Sequence, residues 1–148
     1  GGASGKYRRI GAVLTDGSAN ILGFTQVGDT FLWDAPPLDV DVTETTAAAV
    51  LSTLSVPLGV KVTANITILA TQIWGYASSL DVDDEAPSAS ASPLVNFGYH
   101  YSDTTYGWSA LAIRTNTSSQ IRTRRFSASS AIRRMVTNGW LDQRGRDD

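Results

Sequence analysis

Residues 59–76 read GVKVTANITILATQIWGY, and their two-residue period decides the fold class. Val60, Val62, Ala64, Ile66, Ile68 and Ala70 share one side, while Lys61, Thr63, Asn65, Thr67 and Thr71 share the other. In an extended chain successive side chains point to opposite faces, so this alternation predicts a long strand with one buried and one half-wet face. A helix would need apolar positions three and four apart, and a polar side less rich in Thr. The stretch therefore predicts a long central strand.

Working toward the N-terminus, Leu38-Asp39-Val40-Asp41-Val42-Thr43 alternates in the same way after the break at Pro36-Pro37. Between the two lies ETTAAAVLSTL, residues 44–54, where three alanines favour helix but the Thr-rich flanks favour strand-like or irregular structure. Earlier still, residues 7–33 read as a meander of three short strands around Val13-Leu14, Ile21-Leu22 and Phe31 to Trp33. Asp16-Gly17-Ser18 and Val27-Gly28-Asp29 supply its turns, Gly where a positive φ is wanted and Asp where a side chain can bond nearby backbone.

Toward the C-terminus, residues 80–93 (LDVDDEAPSASASP) form an acidic, low-complexity stretch that predicts an exposed, mobile loop. Residues 95–101, 106–115, 120–128 and 131–141 follow as strands, separated by turns at 102–105 and 116–119. In the second of these, Trp108, Ala110 and Ala112 alternate with Ser109, Leu111 and Ile113. Nine or ten short strands and little helix predict an all-β, antiparallel β-sandwich or jelly roll.

With 148 residues, 42% apolar and 18% charged, the chain suits one domain over 7–148, burying roughly 68–70% of its unfolded surface. The opening GGASGK, residues 1–6, is read as a flexible linker or tag remnant, and the chain as part of something longer. A net charge of -2 predicts neither a nucleic-acid partner nor membrane insertion, and no apolar run approaches the roughly 20 residues of a membrane span. The last third is nonetheless basic. No cysteine and a single histidine exclude disulfides, thiolate metal sites and a multi-imidazole zinc site within one chain. No cofactor is expected.

Three groups of residues are candidates for function. Tyr99, His100, Tyr101, Tyr106 and Trp108 gather around a turn with Asp103 at its tip. Aromatic faces desolvate the apolar side of a sugar ring while polar neighbours bond its hydroxyls, although such residues more often pack a core or a subunit interface. Arg122, Arg124, Arg125, Arg133 and Arg134 fall on the last two strands. They fit phosphate groups of an anionic glycan if they face outward, or a subunit interface with acidic partners if inward. The plainer reading is edge-strand charge that discourages unwanted sheet pairing. Asp81, Asp83, Asp84 and Glu85 offer enough oxygen for Ca²⁺ but lack the spacing and turn Gly of an EF-hand, so solvation is the simpler expectation. His100 with Ser102 or Asp103 makes a poor case for a triad, and no nucleophile elbow or phosphate loop is present.

Tyr7-Arg8-Arg9-Ile10-Gly11, Thr15-Asp16-Gly17-Ser18, Asn20-Ile21, Phe24, Gln26, Gly28-Asp29 and Phe31-Leu32-Trp33 together resemble the C-terminal domains of bacteriophage and prophage tail-fibre or spike-type structural proteins. So do residues 56–62 (VPLGVKV) and 137–145 (TNGWLDQRG). The resemblance implies a non-enzymatic domain of the virion, carried on an external appendage as a homotrimer. Its implied partners are other virion proteins and a glycan or protein receptor on the bacterial surface. It carries over no catalytic residue. The alternatives are a structural virion part (a capsid decoration, collar or tail cap) contacting only other virion proteins, or a sugar-binding module fused to a secreted enzyme.

Overall fold

A computed structural model describes residues 13–71, 73–98 and 106–143. Among these there is no helix, and ten strands run in chain order: β1 Phe24–Val27, β2 Thr30–Trp33, β3 Leu38–Glu44, β4 Val50–Thr53, β5 Thr63–Thr71, β6 Trp74–Ser78, β7 Phe97–Gly98, β8 Tyr106–Arg114, β9 Gln120–Arg125 and β10 Ala131–Leu141. They form two antiparallel sheets packed as a β-sandwich. The larger has the order β1-β2-β10-β5-β8, with β3 also paired to β10, and the smaller has the order β4-β9-β6-β7.

The alternation of residues 59–76 is realised in β5. Val62, Ala64, Ile66, Ile68 and Ala70 are all buried, and Ile66 and Ile68 each contribute about 1.5–3 kcal/mol by leaving water. β5 lies between β10 and β8, so its backbone is bonded on both edges. β10 is the other spine. Its first half pairs with β3 and its end with β2, and the exchange is made near Gly139, where the register against β5 also shifts. A Cβ at Gly139 would sit 2.1 Å from the Phe31 carbonyl oxygen, so this close approach of two backbones requires glycine.

The turns form largely as their residues dictate. Gly28 has φ +62° between β1 and β2. Asp16 Oδ1 accepts the backbone N–H groups of Ser18 and Asn20, at 2.8 and 2.9 Å. The positive φ of that first turn falls on Ala19, at 64°, and not on Gly17. Bonds from the Asn20 side chain first, then from the Asn20 and Ser18 backbone, hold the Asp16 carboxyl below its ordinary value of 3.8. A lowered carboxyl pKa stabilises the fold above the unfolded value and loses that contribution as pH falls through the folded one. A carboxyl NMR titration is expected to place the Asp16 midpoint below 3.8; a midpoint at or above it refutes this account of the turn.

The meander differs from expectation. Instead of three strands the described residues give a two-strand hairpin, β1 and β2; neither Val13-Leu14 nor Ile21-Leu22 is a strand, residues 13–22 carry only the isolated bridge from Thr15 to Ile21, and Ile21 and Leu22 are 63% and 36% exposed. No described element covers them, so β propensity alone does not bury them. Within residues 44–54, Glu44 ends β3, residues 45–49 are irregular and residues 50–53 form β4, without helix. Residues 95–101, expected as one strand, contribute only Phe97–Gly98 among the described residues.

Candidate functional site

At one end of the sandwich the register brings together Thr71 and Tyr106, Ala131 and Glu44, and Gly75 and Arg125. Tyr99, His100, Tyr101 and Asp103 lie outside the described residues, as does Ser102, and so does the triad reading built on them. Tyr106 and Trp108 are placed. Both project from the outer face of β8, 53% and 71% exposed, so neither packs in the core of its own chain. The alternation of β8 is the one read from the sequence: Trp108, Ala110 and Ala112 are exposed, and Ile113 is buried.

Register fixes the neighbours of Trp108 on that face. Trp108 lies opposite Leu69 of β5, Leu69 opposite Arg134 of β10, and Arg134 opposite Asp41 of β3. Strands are spaced about 4.8 Å apart, so the backbones carrying Trp108 and Arg134 lie roughly 10 Å apart across the sheet. The Arg134 Nε donates to Asp41 Oδ1 at 2.9 Å. In the next row, Ala110 lies opposite Thr67, whose hydroxyl accepts from Asn138 Nδ2 at 2.9 Å. The result is one exposed indole, two alanines that leave room beside it, and hydroxyl, amide and charged groups within reach on paired strands.

The five arginines do not act together. β9 lies between β4 and β6, and β10 between β5 and the β2–β3 edge, so neither is an edge strand and the edge-charge reading is corrected. Arg122 and Arg124 face outward from the smaller sheet and share Asp84, at 3.5 and 3.2 Å. Arg122 also donates to the carbonyls of Val82 and Asp83, at 2.7 and 2.6 Å. Arg134 holds Asp41 on the outer face of the larger sheet. Arg125 and Arg133 point inward and are both 3% exposed.

The acidic loop is therefore exposed, as expected, but not simply solvated. Asp81 takes Lys61 at 2.5 Å and Arg114 at 3.4 Å, and Asp84 takes Arg122 and Arg124. Each such exposed pair is worth about 0–1 kcal/mol, yet together they direct these two carboxylates to cations of the fold. Among the described residues no three His, Cys, Asp or Glu side chains converge for a metal ion. Beyond this loop, a depression of about 460 Å³ lies between Tyr76 and the segment from Ser90 to Leu94, with no charged group in its lining.

Compared with protein-family models, with curated proteins and with solved structures, the chain matches none.

Proposed function

We propose that this chain is a non-enzymatic adhesion module of a bacteriophage appendage, a tail fibre or spike. In this reading it holds a bacterial surface glycan on the outer face of its larger sheet. The observation that carries the reading is the 71% exposure of Trp108 on a strand bonded along its length to β5. An indole is costly to leave in water, and a stacked sugar ring is the kind of ligand that desolvates it while Asn138, Thr67 and the Arg134–Asp41 pair bond the ring's hydroxyls. Tyr106, two residues earlier on the same side, extends the platform toward the end of the sandwich.

A face this open gives weak single-site binding, so the proposal includes a trimer built from jelly-roll-like subunits, whose three faces gain avidity from shared geometry. The test is glycan-array binding of the isolated domain beside light scattering. A trimeric mass is expected, with binding to one class of bacterial surface glycan that falls at least tenfold in Trp108→Ala while the far-UV spectrum is unchanged. Unaltered binding in Trp108→Ala removes the site. A domain that binds no glycan but co-assembles with purified virion proteins supports the purely structural alternative, and release of reducing sugar overturns the non-enzymatic reading.

A further inference from the structure

Two guanidinium groups, buried on opposite sheets, face one carboxylate at the end of the sandwich. Arg133 of β10 reaches across to donate to Ser52 Oγ of β4 at 3.0 Å and pairs with Glu44 at the end of β3. Arg125 of β9 is as deeply buried, and its Nη2 donates to the Ser129 carbonyl. Its Nε and Nη1, with the Nε of Arg133, are buried and find no acceptor among the described residues. The inward-facing neighbours on β4, β6 and β9 are Ser52, Ala77 and Thr123, all uncharged. Among the described residues the cluster therefore holds two positive charges against one negative. Burial lowers the Arg125 pKa most, Glu44 raises it and Arg133 lowers it further, so Arg125 feels both charges.

A buried cation without a counter-charge costs several kcal/mol, and a guanidinium with free N–H groups is a donor set for oxyanions. We propose that Arg125 and Arg133 bind one small oxyanion of the phosphate or sulfate class at this end of the sandwich. In this proposal its route in is past the largely exposed connections at 45–49 and 126–130. The proposal is independent of glycan binding by Trp108, which stands on the outer face. A phosphate group on a glycan and free inorganic phosphate share this chemistry, and the two sources are separated by testing the free ion alone.

The experiment is equilibrium dialysis of the full chain against labelled inorganic phosphate at fixed ionic strength, with thermal melts over the same titration. About one phosphate per chain is expected, with a saturable rise in Tm of roughly 9 °C at a hundredfold excess over Kd. A rise that stays linear in salt is the general effect of an excluded ion, and without stoichiometric binding it overturns the proposal. Arg125→Met, which removes the surplus charge but keeps the aliphatic stem, is expected to fold and to lose the saturable part of the shift. If it keeps that part, the site is elsewhere. If it fails to fold, dialysis of the unaltered chain decides alone: no bound phosphate at millimolar concentration refutes the assignment.

Discussion

Replacing Trp140 by alanine is expected to lower stability by about 3–5 kcal/mol, the range for truncating a fully buried aromatic side chain. Trp140 is 0% exposed and sits in an aromatic cluster built by β1, β2 and β10. Its ring is stacked on Phe31, 4.9 Å away at 4°, lies 4.9 Å from Trp33 and 6.0 Å from Phe24. The cluster exists because Gly139 lets β2 approach β10 closely enough to bring Phe31 over the indole. Losing the indole leaves a cavity on which these rings cannot close without moving β2. A domain of this size holds about 5–15 kcal/mol in all, so the loss takes a large share. Urea denaturation should show a lower midpoint with an unchanged slope. Trp140→Phe should cost clearly less than alanine, because Nε1 of Trp140 is buried without an acceptor among the described residues and no hydrogen bond is lost. A cost under about 1 kcal/mol for Trp140→Ala would show that the cluster does not anchor β2.

What could be read in advance from the chain was local. The strand at 63–71 is legible because a period of two is written into consecutive residues, and the turns at Asp16 and Gly28 because one residue type suffices for each. Long-range facts were not legible. The alternation of 106–114 separates Trp108, Ala110 and Ala112 from the other side, but only the second sheet, packed on the Ile113 side, makes them the exposed set. Likewise five arginines within thirteen residues look like one patch, whereas strand parity turns Arg122 and Arg124 away from Arg125. The partner of Arg133 is Glu44, 89 residues earlier, and those of Arg122 and Arg124 are in the loop near Asp84. Such pairings follow from strand order, which residue periodicity does not encode. Ile21 and Leu22 illustrate the converse: β-branched and bulky residues suggest burial, but burial needs a covering element, and among the described residues none is supplied.

The second large effect concerns the charge balance between the sheets. Glu44→Gln keeps the shape of the side chain and removes the one carboxylate that, among the described residues, faces Arg125 and Arg133, leaving both buried cations without that counter-charge. Breaking a buried pair on one side costs about 3–5 kcal/mol, much more than an exposed pair is worth, because the stranded charge cannot be resolvated. The Glu44 and Arg133 side chains are 10% and 3% exposed, so solvent screens little of this. If the loss is electrostatic, removing a cation as well should restore much of it: Glu44→Gln with Arg133→Met is expected to be more stable than Glu44→Gln alone, a coupling that a double-mutant cycle reads directly. Phosphate should also raise the Tm of Glu44→Gln more than that of the unaltered chain, because the added anion then supplies the negative charge that Glu44 has lost. Equal stability of Glu44→Gln and the unaltered chain would mean that Ser52 and the Ser129 carbonyl suffice to hold both guanidinium groups, and it would remove the charge imbalance on which the anion site rests.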